Sequence, residues 1–147
     1  MTRTIEHLAP AALRPWARNA RTHSKKQLRQ IADSIRTFGF TNPVLIDQTG
    51  TILAGHGRVE AAKCLGMETV PCLRIEHMTE AEKRAYVIAD NKLALNAGWD
   101  SDLLKIELSA IAGKIDLNQY GQAFASFFFT YPLKAMGELR RIHRMDV

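Results

Sequence analysis

The chain is short of the residues and runs that would settle its class quickly. It holds two cysteines in 147 residues, Cys64 and Cys72, at a separation that fits no metal-ligand pattern and no disulfide framework. Both fall in apolar segments, so both are expected to be core thiols in a reducing cytoplasm. There is no apolar run of about 18 residues, so no membrane-spanning helix is expected. The N-terminus has no apolar h-region and predicts no secretory signal. No Cys/His cluster and no serine-nucleophile elbow occurs, which removes the common zinc and acyl-transfer signatures. Aromatic residues make up 7% of the chain, and six of the 11 crowd into residues 118–147.

What remains is the composition of a globular domain, 46% hydrophobic and 24% charged, in a chain long enough to bury a core without covalent staples. The net charge of +5 is unevenly spread. Residues 1–36 carry eight Lys or Arg against two acidic residues, residues 37–117 eight against eleven, and residues 118–147 four against two. A basic first third beside an acidic middle suits contact with a polyanion such as nucleic acid or a nucleotide, and it suits a solvated face equally well.

The stretch Thr51 to Lys63 organises the rest. Ile52-Leu53-Ala54 suits a buried strand, Gly55-His56-Gly57 a turn, and from Arg58 onward Val59, Ala62 and Leu65 fall at helical spacing. A strand feeding a glycine turn and then a helix presents unpaired backbone N–H groups and the positive end of the helix dipole to an anion. Glycines let the backbone come close, and Arg58 adds a cation with fork geometry. A plain steric turn with a solvated arginine accounts for the same residues.

Around this stretch the pattern is α+β. Residues 3–8 alternate as a short strand, and residues 10–19 read as an irregular connection. Ser24 caps a helix with Gln27 at capping-box spacing. Leu28, Ile31, Ala32, Ile35 and Phe38 form its apolar face, and Gly39 ends it. Residues 44–54 read as a hairpin turning at Gln48-Thr49-Gly50. Thr69 to Ile75 is a further strand, entered through Pro71. Thr79 and Glu82 form a second capping box, opening a helix to Leu95 with Tyr86, Ile88, Ala89, Leu93 and Leu95 as its apolar contacts. Asp100 caps a last helix containing Leu103, Leu104, Ile106, Leu108 and Ile111. The sum is a small mixed β-sheet with packed helices, followed by C-terminal helices. Residues 118–147, with Phe127-Phe128-Phe129 and Pro132, follow no period; they read as a packing helix, an oligomer contact or a poorly specified tail.

Several motifs in order carry a resemblance. Asn19-Ala20-Arg21, Ile31-Ala32-Asp33-Ser34-Ile35 leading to Phe38-Gly39-Phe40, Asn42-Pro43-Val44-Leu45, and Gly55-His56-Gly57-Arg58 with Glu60-Ala61-Ala62 resemble the ParB N-terminal domain, in the ParB/sulfiredoxin superfamily. Thr79 to Tyr86 and Ile88 to Asn96 are similar to the phage- and plasmid-borne branch often found beside DNA-modification methyltransferases. The resemblance covers roughly residues 3–117. It implies a ParB-like nucleotide-binding core over 1–78, a helical extension of the same domain over 79–117, and an atypical tail over 118–147, for which truncation or a frameshift is one explanation.

The resemblance also implies roles. It puts the phosphates of a nucleoside triphosphate (CTP or ATP) on Gly55, His56, Gly57 and Arg58, with Arg21 of the Asn-x-Arg element as a further phosphate contact. The family's Glu-Asn-x-x-Arg motif appears here as Asp90-Asn91-Lys92-Leu93-Ala94, so Asp90 and Asn91 keep oxygen ligands for Mg²⁺. The closing Arg is absent, which counts against hydrolysis; Lys92 offers a point charge in its place. Sulfiredoxins carry a catalytic Cys where this chain has His56, so that thiol chemistry is not expected. The expected function is a CTP- or ATP-binding module of a cytoplasmic DNA-transaction protein, in plasmid or chromosome partition, phage or DNA-modification settings. Arg18, Lys25, Lys26 and Arg29 are the candidate contacts to the DNA backbone. Expected partners are DNA, a second copy of the chain, and a DNA methyltransferase or phage packaging or partition proteins, with no membrane. The alternative is an NTP- or Mg-dependent enzyme, a nuclease, phosphotransferase or weak NTPase, with His56 or Glu60 as base. A third reading is an interaction subunit acting through its aromatic tail.

Overall fold

The computed structural model describes residues 3–19, 22–96 and 100–111. The chain divides into two compact units, Met1–Ala97 and Gly98–Val147. In the first, a strand β1 (Ile5–Leu8) leads through a short 3-10 turn (Pro10–Ala12) to helix α1 (Lys25–Phe38). Strands β2 (Val44–Ile46) and β3 (Ile52–Ala54) follow, then helix α2 (His56–Cys64), strand β4 (Val70–Arg74) and helix α3 (Glu80–Asn96). In the second unit, helix α4 (Ser101–Ile111) is described. Its first turn is capped by Asp100, whose Oδ1 accepts from the N–H groups of Asp102 and Leu103 at 3.1 Å each.

The four strands form one mixed sheet in the order β1-β4-β2-β3. β4 lies antiparallel to β1 and parallel to β2, and β2 and β3 form the expected hairpin. Alternation along the strands sends side chains to opposite faces. Val44, Ile46 and Ile52 pack with Val59 and Ala62 of α2 and with Val70 and Cys72 of β4. Leu45 and Leu53 face the other way, into a cluster with Ile75, Val87, Tyr86 and Trp16. Helix α2 therefore covers one face of the sheet and α3 the other, and α1 packs outside α2 through Ala32, Ile35 and Ala61. Each fully buried aliphatic side chain here contributes about 1.5–3 kcal/mol.

Two polar clusters fasten the sheet. Arg74 on β4 holds Glu6 on β1 in a two-bond fork, Nε to Oε2 at 2.9 Å and Nη2 to Oε1 at 3.0 Å. Its Nη1 also donates to the carbonyls of Asp47 and Gln48, each at 3.1 Å. Asp47 shapes the β2–β3 turn, its Oδ1 accepting from Thr49 N (2.8 Å), Thr49 Oγ1 (2.7 Å) and Thr51 N (3.0 Å), the Asx-turn chemistry that suits aspartate. Its Oδ2 meets Lys83 Nζ of α3 at 3.1 Å, and Lys83 also reaches Glu80 at 2.7 Å. Lys83 is 1% and Asp47 4% exposed, so this pair pins α3 to the hairpin turn.

Several details depart from the sequence expectation. Helix α2 starts at His56, not Arg58. The capping box at α1 is half made: Ser24 accepts from Gln27 N, but the Gln27 side chain turns to His23 Nδ1 at 3.2 Å. The box at Thr79 and Glu82 is complete in both directions. Cys64 is exposed while Cys72 is buried, because α2 buries its Gly57, Val59, Ala61 and Ala62 side and turns its end outward. Ile88 and Leu93 of α3 are 66% and 68% exposed; the helix meets the sheet through Lys83, Tyr86 and Val87 of its first two turns. Leu95, the end of the predicted apolar face, and the aromatic tail lie outside the side chains described.

Candidate functional site

The junction of β3 and α2 is built as the sequence suggested, with one difference in what its glycines do. Gly55 is the N-cap of α2 with φ of 106°, the left-handed region that glycine enters without a steric cost. A Cβ there would sit 2.9 Å from Arg58 Nη2, so the missing side chain is what lets the guanidinium fold back over the turn. Gly57 is buried for another reason. A Cβ on it would meet Ile31 Cδ1 at 2.9 Å and His23 Cε1 at 3.0 Å. It is the contact point of α2 with α1 and with His23 before it, so its missing side chain serves packing.

Arg58 donates from Nη2 to the carbonyl of Pro43 at 3.1 Å, while its Nε is buried with no hydrogen-bond partner. Burial pushes the guanidinium below its ordinary pKa, and Asp90 of α3 pulls it back up; arginine stays charged under such opposing influences. Asp90 also lies beside Tyr86, whose hydroxyl pKa is raised by burial and by that carboxylate. The structure thus brings Asp90 to the Arg58 turn across 32 positions of sequence. Its neighbour Asn91 donates from Nδ2 to the Val87 carbonyl at 2.8 Å. Among the described residues no group of three or more His, Cys, Asp or Glu side chains could hold a metal by itself.

His56 opens the helix and is tied down. Its Nε2 accepts the backbone N–H of Trp16 at 3.0 Å, which fixes a neutral imidazole with the proton on Nδ1. Burial first, and then the neighbouring His23, hold its pKa below the usual value, against a smaller opposite pull from Glu60. Glu60 itself is exposed and pairs with Lys63 at 3.2 Å. Arg18, Lys25, Lys26 and Arg29 are all exposed; the last three belong to the first turns of α1, and His23, just before its Ser24 cap, packs beside Gly57. Arg21 lies outside the described residues.

The residues present suit a phosphate group. The Gly55 cap offers no side-chain acceptor, so the first N–H groups of α2 keep no capping partner. The buried, unpartnered Nε of Arg58 adds a donor beside them. Sequence reasoning missed two participants: Trp16, whose backbone positions His56, and Tyr86, which lies beside Asp90. Neither leaves a signal in periodicity, since one acts through its main chain and the other was read as a core contact.

A small mixed sheet with a strand–glycine–helix junction defines a class of small α+β domains. Within that class the sequence profile of the ParB N-terminal domain matches residues 1–92, and the chain belongs to that family. It is 53% identical over 72 residues to the ParB-like nuclease domain-containing protein YnaK of Escherichia coli, a match covering 49% of this chain and 83% of the relative. It is 30% identical over 91 residues to the chromosome-partitioning protein Spo0J of Thermus thermophilus, covering 59% of this chain and 34% of that protein. The chain thus spans about a third of the partition protein. Among solved structures, the C-terminally truncated chromosome-partitioning protein ParB of Caulobacter crescentus, complexed with CTP-gamma-S, superposes with a TM-score of 0.67 at 20% identity, over 81% of this chain and 69% of that one. A Pnob8-like ParB-N domain gives a TM-score of 0.52 at 16% identity, over 77% and 51%. These likenesses establish the α+β fold.

Proposed function

We propose that the chain is a nucleoside-triphosphate-binding module of a DNA-transaction protein, acting in partition or a related phage or DNA-modification setting. The observation that carries this reading is the Arg58 guanidinium folded over Gly55 at the start of α2, with one buried donor unpartnered. Phosphates would lie on the α2 N–H groups and Arg58, with Arg21 as a further contact. The CTP analogue in the Caulobacter ParB structure makes CTP the first candidate and ATP the second. Mg²⁺ would be held by Asp90 and Asn91 together with phosphate oxygens, since this cation takes one or two protein ligands and completes its shell with water and phosphate. Residues 1–78 form the binding core and 79–117 its helical extension in this reading. The setting is the cytoplasm, as a dimer on DNA, with Arg18, Lys25, Lys26 and Arg29 on the phosphate backbone.

Binding is favoured over turnover by the neighbours of the two candidate bases. The Nε2 of His56 is engaged by Trp16, and Glu60 pairs with Lys63 in solvent. The position that closes the Glu-Asn-x-x-Arg motif is Ala94. The name of the Escherichia coli relative keeps a nuclease activity as the competing outcome. The test is calorimetric titration of the whole chain with CTP, ATP and GTP plus Mg²⁺, on wild type and Arg58→Ala, with phosphate release and DNA nicking followed in parallel. One nucleotide should bind, and Arg58→Ala should weaken it roughly 10- to 100-fold, the worth of charge-assisted hydrogen bonds. Equal binding by Arg58→Ala refutes the cradle, and nicking that needs Mg²⁺ would favour the enzyme.

A further inference from the structure

A cavity lies between residues 14–18 and the first turns of α3. Its volume is about 480 Å³, inside the range of about 300–1,000 Å³ typical of ligand pockets. Arg14, Arg18 and Arg84 line it together with Trp16, Thr49 and Thr51. All three arginines are exposed, and none of them forms an ion pair among the described residues. Two carboxylates also line the cavity, Asp47 and Glu80, but Lys83 already engages both. The site therefore carries an excess of uncommitted positive charge around an indole.

We propose that this cavity binds a short single-stranded nucleic-acid segment, one base stacking on Trp16 and successive phosphates meeting Arg14, Arg18 and Arg84. An aromatic ring flanked by cations is what strand binding without sequence preference requires, because every base has a stacking face and every linkage a charge. The segment carrying Arg14 is held firmly: its N–H donates to Gly50 O at 3.0 Å and its C=O accepts from Ile52 N at 2.8 Å. The proposal rests on the DNA part of the reading above and deepens it.

The test uses the whole chain and a fluorescent oligothymidine of about ten nucleotides, within the strand-site sizes of such proteins, beside a hairpin duplex. Anisotropy should report tighter binding of the strand than of the duplex. Three phosphate contacts give a salt slope near −2, so affinity should fall roughly 18-fold between about 50 and about 200 mM salt. Arg14→Ala/Arg84→Ala should bring that slope to about −0.7 while leaving CTP titration unchanged. In a Trp99→Phe background, the strand should quench Trp16 fluorescence. Trp16→Phe, which keeps a ring in the apolar cluster, should retain more affinity than Trp16→Leu. Circular dichroism confirms that each variant is folded. Equal binding of strand and duplex, an unchanged slope in the arginine pair variant, or competition by inorganic phosphate at matched phosphate concentration overturns the proposal. Strand binding lost only in Lys25→Ala/Lys26→Ala/Arg29→Ala would instead leave the backbone-contact reading standing and this one refuted.

Discussion

Lys83→Met is the perturbation with the clearest structural consequence. The change keeps the length of the stem and removes the ammonium that joins Asp47 of the hairpin turn to α3. Breaking a buried ion pair costs about 3–5 kcal/mol when a charge is left alone. Here two features lower that figure. Asp47 keeps its three hydrogen bonds from Thr49 and Thr51, and it borders a cavity, so water can reach its other oxygen. The expected loss is therefore about 2–3 kcal/mol, or a fall in Tm of about 10–15 °C for a unit of this size. Urea unfolding of wild type, Lys83→Met, Asp47→Asn and the double variant measures it as a coupling energy. Glu80→Gln is the internal control: Glu80 is 79% exposed, and its pair with Lys83 should contribute under about 1 kcal/mol. A coupling near zero between Asp47 and Lys83 would refute the view that this pair fastens the helix.

Acid should act on the same turn. Burial alone would raise the Asp47 pKa, but Thr49, Thr51 and Lys83 outweigh it and bring the value down to about 2. A depressed carboxylate stabilises the fold above its unfolded pKa of about 4, and that stability is lost as pH falls from there through about 2; Asp47→Asn should flatten the urea midpoint across this window. His56 has a lowered folded pKa, so its contribution is full above about 6.5 and declines as pH drops below it. Proton NMR should find its imidazole still neutral where an ordinary histidine is half charged, and a normal titration would contradict the buried hydrogen bond to Trp16. Gly57→Ala should destabilise by about 1 kcal/mol, at the mild end for overpacking because the clash is with side-chain ends, and thermal melting would reveal any unexpected gain.

Much of the local structure was legible because it rests on neighbours in sequence. The Thr79–Glu82 box, the Asp100 cap, the hairpin over 44–54 and the burial of Ile52 and Leu53 each follow from residues within a few positions. What escaped was set by distant partners. Helix α2 begins two residues early because Gly55 takes the cap and the buried residue Gly57 has no side chain for an apolar period to register. Lys83 reads as a solvated helix lysine until Asp47, 36 positions away, is seen beneath it. The inward side of α3 was misassigned for a related reason. Ile88, Ala89 and Leu93 recur at a spacing that suits burial, yet among the described side chains the helix meets the sheet through its first two turns. In the candidate site, Gly55 and Arg58 could be singled out from sequence, whereas Asp90 could be linked to Arg58 only through family likeness.

These separate observations meet in α3. That helix carries Asp90, whose charge acts on the Arg58 guanidinium, and it is pinned near its start by Lys83, about two turns earlier in the same helix. Position at one end therefore sets position at the other. If the proposed nucleotide binds between Arg58 and Asp90, it also binds α3 to α2, and ligand at 100 times its Kd should add about 2.7 kcal/mol of stability. Lys83→Met loosens α3 without touching any proposed ligand contact. Its nucleotide affinity should fall, and the missing stability should be partly restored at saturating ligand, because binding would then supply the fastening that the ion pair no longer does. Unchanged affinity in a folded Lys83→Met protein would mean that Asp90 is positioned by Tyr86 and local packing, and that the hairpin turn and the phosphate turn act independently.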